Sequence, residues 1–528
     1  MDELGDGGVD RKNVDYSLYL VTDSAMLRPG QTLAKVVNEA IAGGVSIVQL
    51  REKNCGTREF IETAMELLRV TRKHGVPLLI NDRVDIALAI GADGVHVGQD
   101  DMECKSARRL LGKDKVIGVS VSGPEEARQA ILDGADYLGI GPVYHTDTKK
   151  LTKPTLGPAG VRRILEECTD VAGESTPKGG RIKTVAIAGL NSSNVQRLLF
   201  QSSCSTRSLD GLALVSAIMA SNDPEAAAGD LFSLIKTPPA FQRLKPVYEV
   251  SLSEEIKNLC TNIPIKVRET CPMVHHMTNN VVKLFSANAT LSIGATPIMS
   301  ENIHEVEELA AVNGGMVINM GMVAPADVER MLFAVQQSNI RGTPVIFDPV
   351  GAGASSVRKA AVKEFLARGY MDVIKGNVAE IRTVMGLEGK TKGVDSIDES
   401  TEEEKINLAG ELARRERNVV LISGKKDIIS NGVQTALVEN GHEFLGMITG
   451  SGCTLGSVIA AFAAVHREDI FLATVAATVL YGCAAEVAVE EKSVSVGTFL
   501  PKFIDALYYL TSREGTYQLS QMAKVMTV

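Results

Sequence analysis

Among its eight cysteines the sequence has no C-x-x-C pair and no Cys/His spacing of a metal-ligand kind. Neither a zinc site nor a disulfide framework is therefore expected, and a reducing, intracellular compartment fits this cysteine usage best. There is no uninterrupted apolar run near the roughly 18 residues of a membrane span. The first ten residues are acidic and glycine-rich, without the apolar centre of a secretion signal. A soluble, cytoplasmic protein with no membrane partner is expected. A positive surplus is also missing: 55 Lys+Arg face 64 Asp+Glu, a formal net charge of −9, which argues against a nucleic-acid-binding surface across the whole chain. Local basic pockets for phosphate stay compatible with that balance.

What is present is enough chain for about two to four domains, at roughly 150 residues each. Residues 17–218 hold eight short apolar runs, at 17–23, 46–53, 77–82, 94–99, 116–121, 137–142, 184–189 and 211–218, most separated by helix-like stretches. They read as the strands of a TIM (β/α)8 barrel, whose active sites form at the C-terminal strand ends. Around 236–263 the composition shifts to Pro238-Pro239, Pro246 and a charged stretch, which reads as a linker after a first domain of 1–235. In 264–528, longer helical patterns alternate with strand-like runs at 316–320, 344–347, 372–375 and 418–423. That alternation predicts βαβ units and a largely parallel, doubly wound α/β domain.

At the barrel's strand ends, period-two alternation points Gln49, Arg51 and Lys53 the same way. Two cations this close repel unless an anion lies between them. Asn81-Asp82 ends the third strand and Gln99-Asp100-Asp101 follows the fourth. Carboxylates beside cations on one rim suit a diphosphate bound with Mg²⁺, which prefers oxygen ligands and bridges to phosphates. The plainer alternative is a structural ion cluster of Arg51 and Lys53 with Asp82 and Asp101. Ser120 ends strand five. The loop from Tyr144 to Lys150 offers hydroxyls and then cations, while Gly189 and Val215-Ser216 end strands seven and eight, where such barrels often bind a phosphate. No Ser/His/Asp grouping is evident.

Gln49-x-Arg51-x-Lys53, Asn81-Asp82, Gly94-Val-His-Val-Gly-Gln-x-Asp101, Gly118-Val-Ser120, Thr146-x-Thr148-Lys149 and Val215-Ser216-Ala217-Ile218, in that order, resemble thiamine phosphate synthase over about residues 16–222. The resemblance implies condensation of a hydroxymethylpyrimidine diphosphate with a thiazole phosphate. It implies that Gln49, Arg51, Lys53, Asn81, Ser120 and Lys149 hold the pyrimidine diphosphate, and that Asp82 and Asp101 hold Mg²⁺. Thr146, Thr148, Gly189, Val215 and Ser216 would then hold the thiazole phosphate. His145, where many relatives have proline, and an apparent insertion at 173–183 depart from the pattern.

In the second half, Thr449-Gly450-Ser451-Gly452-Cys453 opens a small-residue helix whose free N–H groups and dipole suit a phosphoryl group. In that first turn the Cys453 thiol is expected to have a lowered pKa and to act as a base, the alternative being a glycine cap with a small buried cysteine. Asn377 and Glu380, at i and i+3 of a helix start, lie on one face, so both can reach a hydrated Mg²⁺. Asp348 sits at another strand end, where doubly wound sheets bind ligands. Together these segments resemble the ribokinase class. Cys453, Val274-His-His-Met-Thr-Asn279 and Gly294-Ala-Thr-Pro297-Ile-Met299 narrow the resemblance to hydroxyethylthiazole kinase. It implies ATP as co-substrate, Asn279 and Met299 lining the thiazole pocket, Gly450 beside the alcohol, Lys375 and Ser423 on ATP, and Cys453 as proton acceptor. Lys375 stands where bacterial relatives usually carry Arg.

Adjacent His275 and His276 lack metal-pair spacing and read as packing or hydrogen-bonding groups. Gly389-Lys390-Thr391 is not a P-loop, since Val384 holds the first required glycine position. The two halves together resemble a fungal fusion family in which the kinase makes the phosphate that the barrel consumes. That resemblance also implies a homo-oligomer with kinase sites between subunits. Two rivals are a barrel acting as a thiazole tautomerase and a non-catalytic sensor or scaffold.

Overall fold

The structure, a computed structural model, describes residues 10–146, 153–175, 181–242, 251–312, 314–387, 391–392, 395–396 and 400–528. It divides into two compact units, Met1–Pro239 and Ala240–Val528.

In the first unit β1 (Leu18–Val21), β2 (Ile47–Leu50), β3 (Leu78–Asn81), β4 (Gly94–Val97), β5 (Val116–Val121), β6 (Tyr137–Ile140), β7 (Lys183–Ile187) and β8 (Gly211–Leu214) follow in order. They pair in parallel and close into a barrel, with β8 back on β1. Alternation decides which way each residue faces. Leu18 and Leu20 pack outward against the helices, while Tyr19, Val21, Ile47, Leu79, Val116, Tyr137, Val185 and Ala213 fill the interior. The run 211–218 is a strand only to Leu214. Val215 leaves the extended region at ψ −84°, and Ser216–Met219 forms a helical turn.

The second unit holds β9 (Met273–Met277), β10 (Thr296–Ile298), β11 (Gly315–Asn319), β12 (Val345–Asp348), β13 (Val373–Asn377), a separate ribbon of β14 (Thr391–Lys392) and β15 (Asp395–Ser396), then β16 (Val419–Ser423), β17 (Asp427–Ser430), β18 (Thr435–Val438) and β19 (Val525–Thr527). The main sheet runs β10-β9-β11-β12-β13-β16-β17-β18-β19. It is parallel as far as β16 and antiparallel beyond, a mixed edge that the four sequence runs did not reveal. Helices cover both faces. Val274, Val317, Ile346 and Leu421 pack toward helices Ser451–Val465 and Ile470–Ala488, while Met316, Ile318, Phe347 and Ile374 pack toward Pro325–Arg341 and Ser356–Arg368. From β9 the chain moves to β10 on one side and to β11 on the other, so the strand order reverses there, the place where such sheets bind ligands.

Two differences from the sequence reading have simple causes. The linker read as far as 263 is, from Leu252, the helix Leu252–Thr270, and its Ile256, Leu259, Cys260 and Ile263 lie in the second unit's core. The charged stretch that suggested a linker is the exposed first turn of that helix, capped by Ser251. Helix Ile470–Ala488 is long and apolar enough to cross a membrane by length and composition, although Thr, Gly and Glu interrupt its apolar run. Of that span 89% is buried inside the protein, as expected for a core helix apolar on every side.

Two candidate active sites

At the C-terminal mouth of the barrel is a cavity of about 390 Å³, lined by Gln49, Arg51, Lys53, Asn81, Asp101, Ser120, Thr146, Gly189, Val215 and Ser216 among others. Ten residues singled out in the sequence thus share one space. Lys149 and Thr148 lie outside the described residues. Asp82 joins through an ion pair with Lys53. Arg51 pairs with Asp23 at 3.3 Å, so the alternative of an ion cluster with Asp82 and Asp101 holds for Lys53 and not for Arg51. Asp82 and Asp101 touch each other. Burial, and then the neighbouring Asp82, push the Asp101 carboxyl above its ordinary range, while Lys53 works the other way. Two carboxylates held together in this fashion favour a cation between them. Asp82 itself sits at φ +59° and Ala188 at φ +81°, both at strand ends on the mouth. Non-glycine residues with such backbones cost free energy and persist where the surroundings impose them, commonly at functional sites.

The sequence reading gave no role to His96, Ser122, Glu126 and Lys153, which line the same cavity. Lys153 Nζ donates to Ser122 Oγ at 2.7 Å and to Glu126 Oε1 at 2.5 Å. Nothing in a single sequence joins residues so far apart. His96 did stand in a quoted motif, and its alternation with Gly94 already pointed it inward.

In the second unit the site is a buried polar chain at the ends of β9, β11 and β12. Asn279 Nδ2 donates to Asn319 Oδ1 at 2.9 Å, and Asn319 Nδ2 donates to Asp348 Oδ2 at 2.8 Å. Lys375 Nζ lies 3.2 Å from Asp348 Oδ1, with both side chains almost wholly buried. Burial disfavours that ammonium, but Asp348, Cys453 and Glu380 outweigh it and hold Lys375 above its ordinary pKa. Cys453 occupies the first turn of helix Ser451–Val465, capped by Gly450 at φ +88°, where a Cβ would come within 2.6 Å of Val282. Its thiol reaches Asn319 and Asp348.

The lowered thiol pKa expected from the helix start is not found. Burial first, and then the Asp348 carboxylate, push Cys453 up to about 12 against the opposing pull of Lys375. The helix dipole contributes a fraction of a charge, which desolvation and a full neighbouring anion exceed.

Asn377 and Glu380 are engaged with each other. Asn377 caps helix Val378–Met385, accepting from Glu380 N at 2.9 Å, while Glu380 accepts from Asn377 N and Gly351 N, each at 2.8 Å. The i, i+3 spacing is thus first a capping box. Burial and the nearby Asp348 nevertheless push Glu380 up to about 7, a charge deficit that a cation would relieve. Ser423 pairs in register with Asn377 at the end of β16. A second cavity, of about 450 Å³, is lined by Asn279, Asp327, Arg330 and Arg358. Met299, one residue beyond β10, is not among its lining residues.

A family model described as thiamine monophosphate synthase matches residues 18–218, and one described as hydroxyethylthiazole kinase family matches 265–513. The chain is 44% identical to a probable thiamine biosynthetic bifunctional enzyme of Schizosaccharomyces pombe, over 95% of this chain and 96% of that protein. It is 38% identical to the thiamine biosynthetic bifunctional enzyme of Saccharomyces cerevisiae, at the same two coverages. The chain belongs to the bifunctional thiamine biosynthetic enzymes. A solved hydroxyethylthiazole kinase from Pyrococcus horikoshii is 36% identical and spans 51% of this chain and 99% of its own, with a TM-score of 0.46.

This bifunctional enzyme therefore has a thiamine phosphate synthase in its barrel unit and a hydroxyethylthiazole kinase in its second unit, and neither the tautomerase nor the scaffold alternative is favoured. His275 and His276 serve packing here. His275 Nε2 donates to Ser300 O at 2.9 Å, and His276 Nδ1 donates to Val274 O at 3.0 Å, leaving Nε2 to accept from Ser457 Oγ at 2.9 Å.

Proposed function

We propose that the barrel mouth grips the pyrimidine diphosphate through Gln49, Arg51, Lys53, Asn81 and Ser120, with Lys149 added from the loop, and that Asp82 and Asp101 hold Mg²⁺. The observation that carries this reading is the convergence of Gln49, Arg51, Lys53, Asn81, Asp101 and Ser120, from four strand ends, on one cavity. Mg²⁺ would neutralise charge on the departing diphosphate. Arg51 and Lys53 stabilise the same developing charge while the carbon–oxygen bond breaks, and the pair of electrons leaves with diphosphate. The thiazole nitrogen then forms the new carbon–nitrogen bond. Thr146, Thr148, Gly189, Val215 and Ser216 orient the thiazole by its phosphate, so no nucleophilic side chain is needed.

In the kinase, Asn279, Met299 and Gly450 hold the thiazole alcohol, Lys375 and Ser423 serve the ATP side, and Asn377 and Glu380 the Mg²⁺. A neutral thiol cannot take the alcohol's proton without releasing its own. Asp348, in contact with Cys453, is the acceptor for it, so the alcohol's proton moves to sulfur as the sulfur's proton moves to the carboxylate. The alcohol oxygen attacks the γ-phosphorus of ATP and ADP leaves.

All eight cysteines are free, which supports a reducing cytoplasm. Exposed Val281, Leu284 and Met322 lie close in sequence to Asn279 and Asn319 and support a homo-oligomer with subunits meeting near the kinase site. Supplying purified protein with the thiazole alcohol, ATP, Mg²⁺ and pyrimidine diphosphate, then omitting each in turn, tests the whole scheme. Failure to make thiamine phosphate from thiazole already phosphorylated would remove the synthase roles.

A further inference from the structure

A chain of hydrogen bonds runs through the barrel interior. Gln49 Nε2 donates to Tyr19 OH at 2.8 Å, Tyr19 OH meets Tyr137 OH at 2.7 Å, Tyr137 OH meets His96 Nδ1 at 2.7 Å, and His96 Nε2 meets Ser120 Oγ at 2.8 Å. Both tyrosines are almost fully buried, while Gln49, His96 and Ser120 line the cavity. The strands leave room for it. A Cβ on Gly118 would lie 2.0 Å from the Tyr137 ring, and one on Gly139 would lie 2.8 Å from His96 Cε1.

Only one ordering of protons gives every hydroxyl in this chain an acceptor. Gln49 faces Tyr19 with its amide nitrogen, which can only donate, so Tyr19 accepts from it and must pass its own proton to Tyr137. Had Tyr137 donated to Tyr19 instead, the Tyr19 proton would be buried without an acceptor. Tyr137 therefore donates to Nδ1, the ring proton sits on Nε2, and Nε2–H donates to Ser120 Oγ.

We infer that Tyr19, Tyr137 and His96 are positioning residues that fix Ser120 as a hydrogen-bond donor, its O–H turned toward an acceptor atom of the pyrimidine diphosphate. The inference rests on the proposed contact between Ser120 and that substrate. Ser120, His96 and Tyr137 have the outline of a nucleophile, base and orienting group. The order of protons rules that role out: Nε2 already carries hydrogen and cannot take the serine proton, and the third group is a neutral phenol rather than a carboxylate. The same arrangement selects substrate, because a ligand presenting a donor at this point would face another donor and leave both unpaired.

The full chain labelled with ¹⁵N-histidine reports the tautomer directly, with the His96 signals assigned by their loss in H96Q. The expected result is a neutral ring protonated at Nε2 without substrate, shifting toward a mixture of tautomers in Y137F. In synthase assays S120A should lower kcat/KM for the pyrimidine diphosphate roughly tenfold to a hundredfold. The double variant Y137F/S120A should be no worse than S120A alone. Y19F, which keeps both rings, should shift kcat/KM in the same direction by less and stands in if Y137F folds poorly. A ring proton on Nδ1, or losses for Y137F and S120A that simply add, would overturn the inference. Full synthase activity in S120A would instead remove the contact between Ser120 and substrate.

Discussion

Lys375 and Asp348 form an ion pair at 3.2 Å in which neither side chain has appreciable contact with water. Asp348 also accepts from Asn319 and touches Cys453, so one carboxylate joins the Asn279–Asn319 end of the polar chain to the Cys453 thiol. Removing the cation leaves that carboxylate buried without its counter-charge. Lys375→Met is expected to destabilise the second unit by about 3–5 kcal/mol in chemical denaturation, and adding Asp348→Asn should restore much of the loss. Equal stability of Lys375→Met and the parent would show that the pair does not hold the site.

Because burial raises the Cys453 thiol to about 12, it stays protonated at pH 8. Alkylation of the Cys453 peptide, followed by mass spectrometry, should be far slower than that of exposed Cys271. Rapid modification of Cys453 at neutral pH would contradict the proton relay through Asp348.

Cys453→Ser should slow phosphorylation of the thiazole alcohol and leave condensation of preformed thiazole phosphate intact. Parallel loss in both assays would argue against separate sites in the two units.

Arg51→Ala should damage condensation alone, through loss of a charge-assisted contact worth about 1.5–3 kcal/mol, or roughly tenfold to 150-fold in kcat/KM. A matching kinase defect would point to misfolding.

Burial holds His276 down to about 4 in the folded state, against 6.5 for the free side chain. Between those values the unfolded chain binds more protons, so this contribution to stability is complete above about pH 6.5 and declines as pH falls toward 4. The full loss is about 3 kcal/mol. Denaturant midpoints measured across that window should fall less steeply with acid in His276→Gln than in the parent.

Most of the barrel was legible because each strand obeys a local rule. Alternation sends Tyr19 and Val21 inward and Leu18 and Leu20 outward, and the same rule placed Gln49 beside the cavity. In the second unit β9, β10 and the antiparallel β17 to β19 were missed, since His275 and His276, Thr296 and Pro297, and the polar residues Asp427, Ser430, Thr435 and Thr527 cut their apolar runs short. Asn319 escaped notice although it bridges Asn279 and Asp348. It ends a strand recognised only as apolar, and its partners arrive from two other strands.

From sequence alone came the two folds, their order, and ten of the residues that meet at the barrel mouth, because residue alternation and strand-end chemistry are properties of neighbouring positions. Tertiary structure decided which charges pair, Arg51 with Asp23 and Lys53 with Asp82, and the direction in which Cys453 titrates. Burial and opposing charge depend on groups that meet only through folding, so the helix start at Gly450 could suggest an acidic thiol while Asp348 and the surrounding core made it a very weak acid.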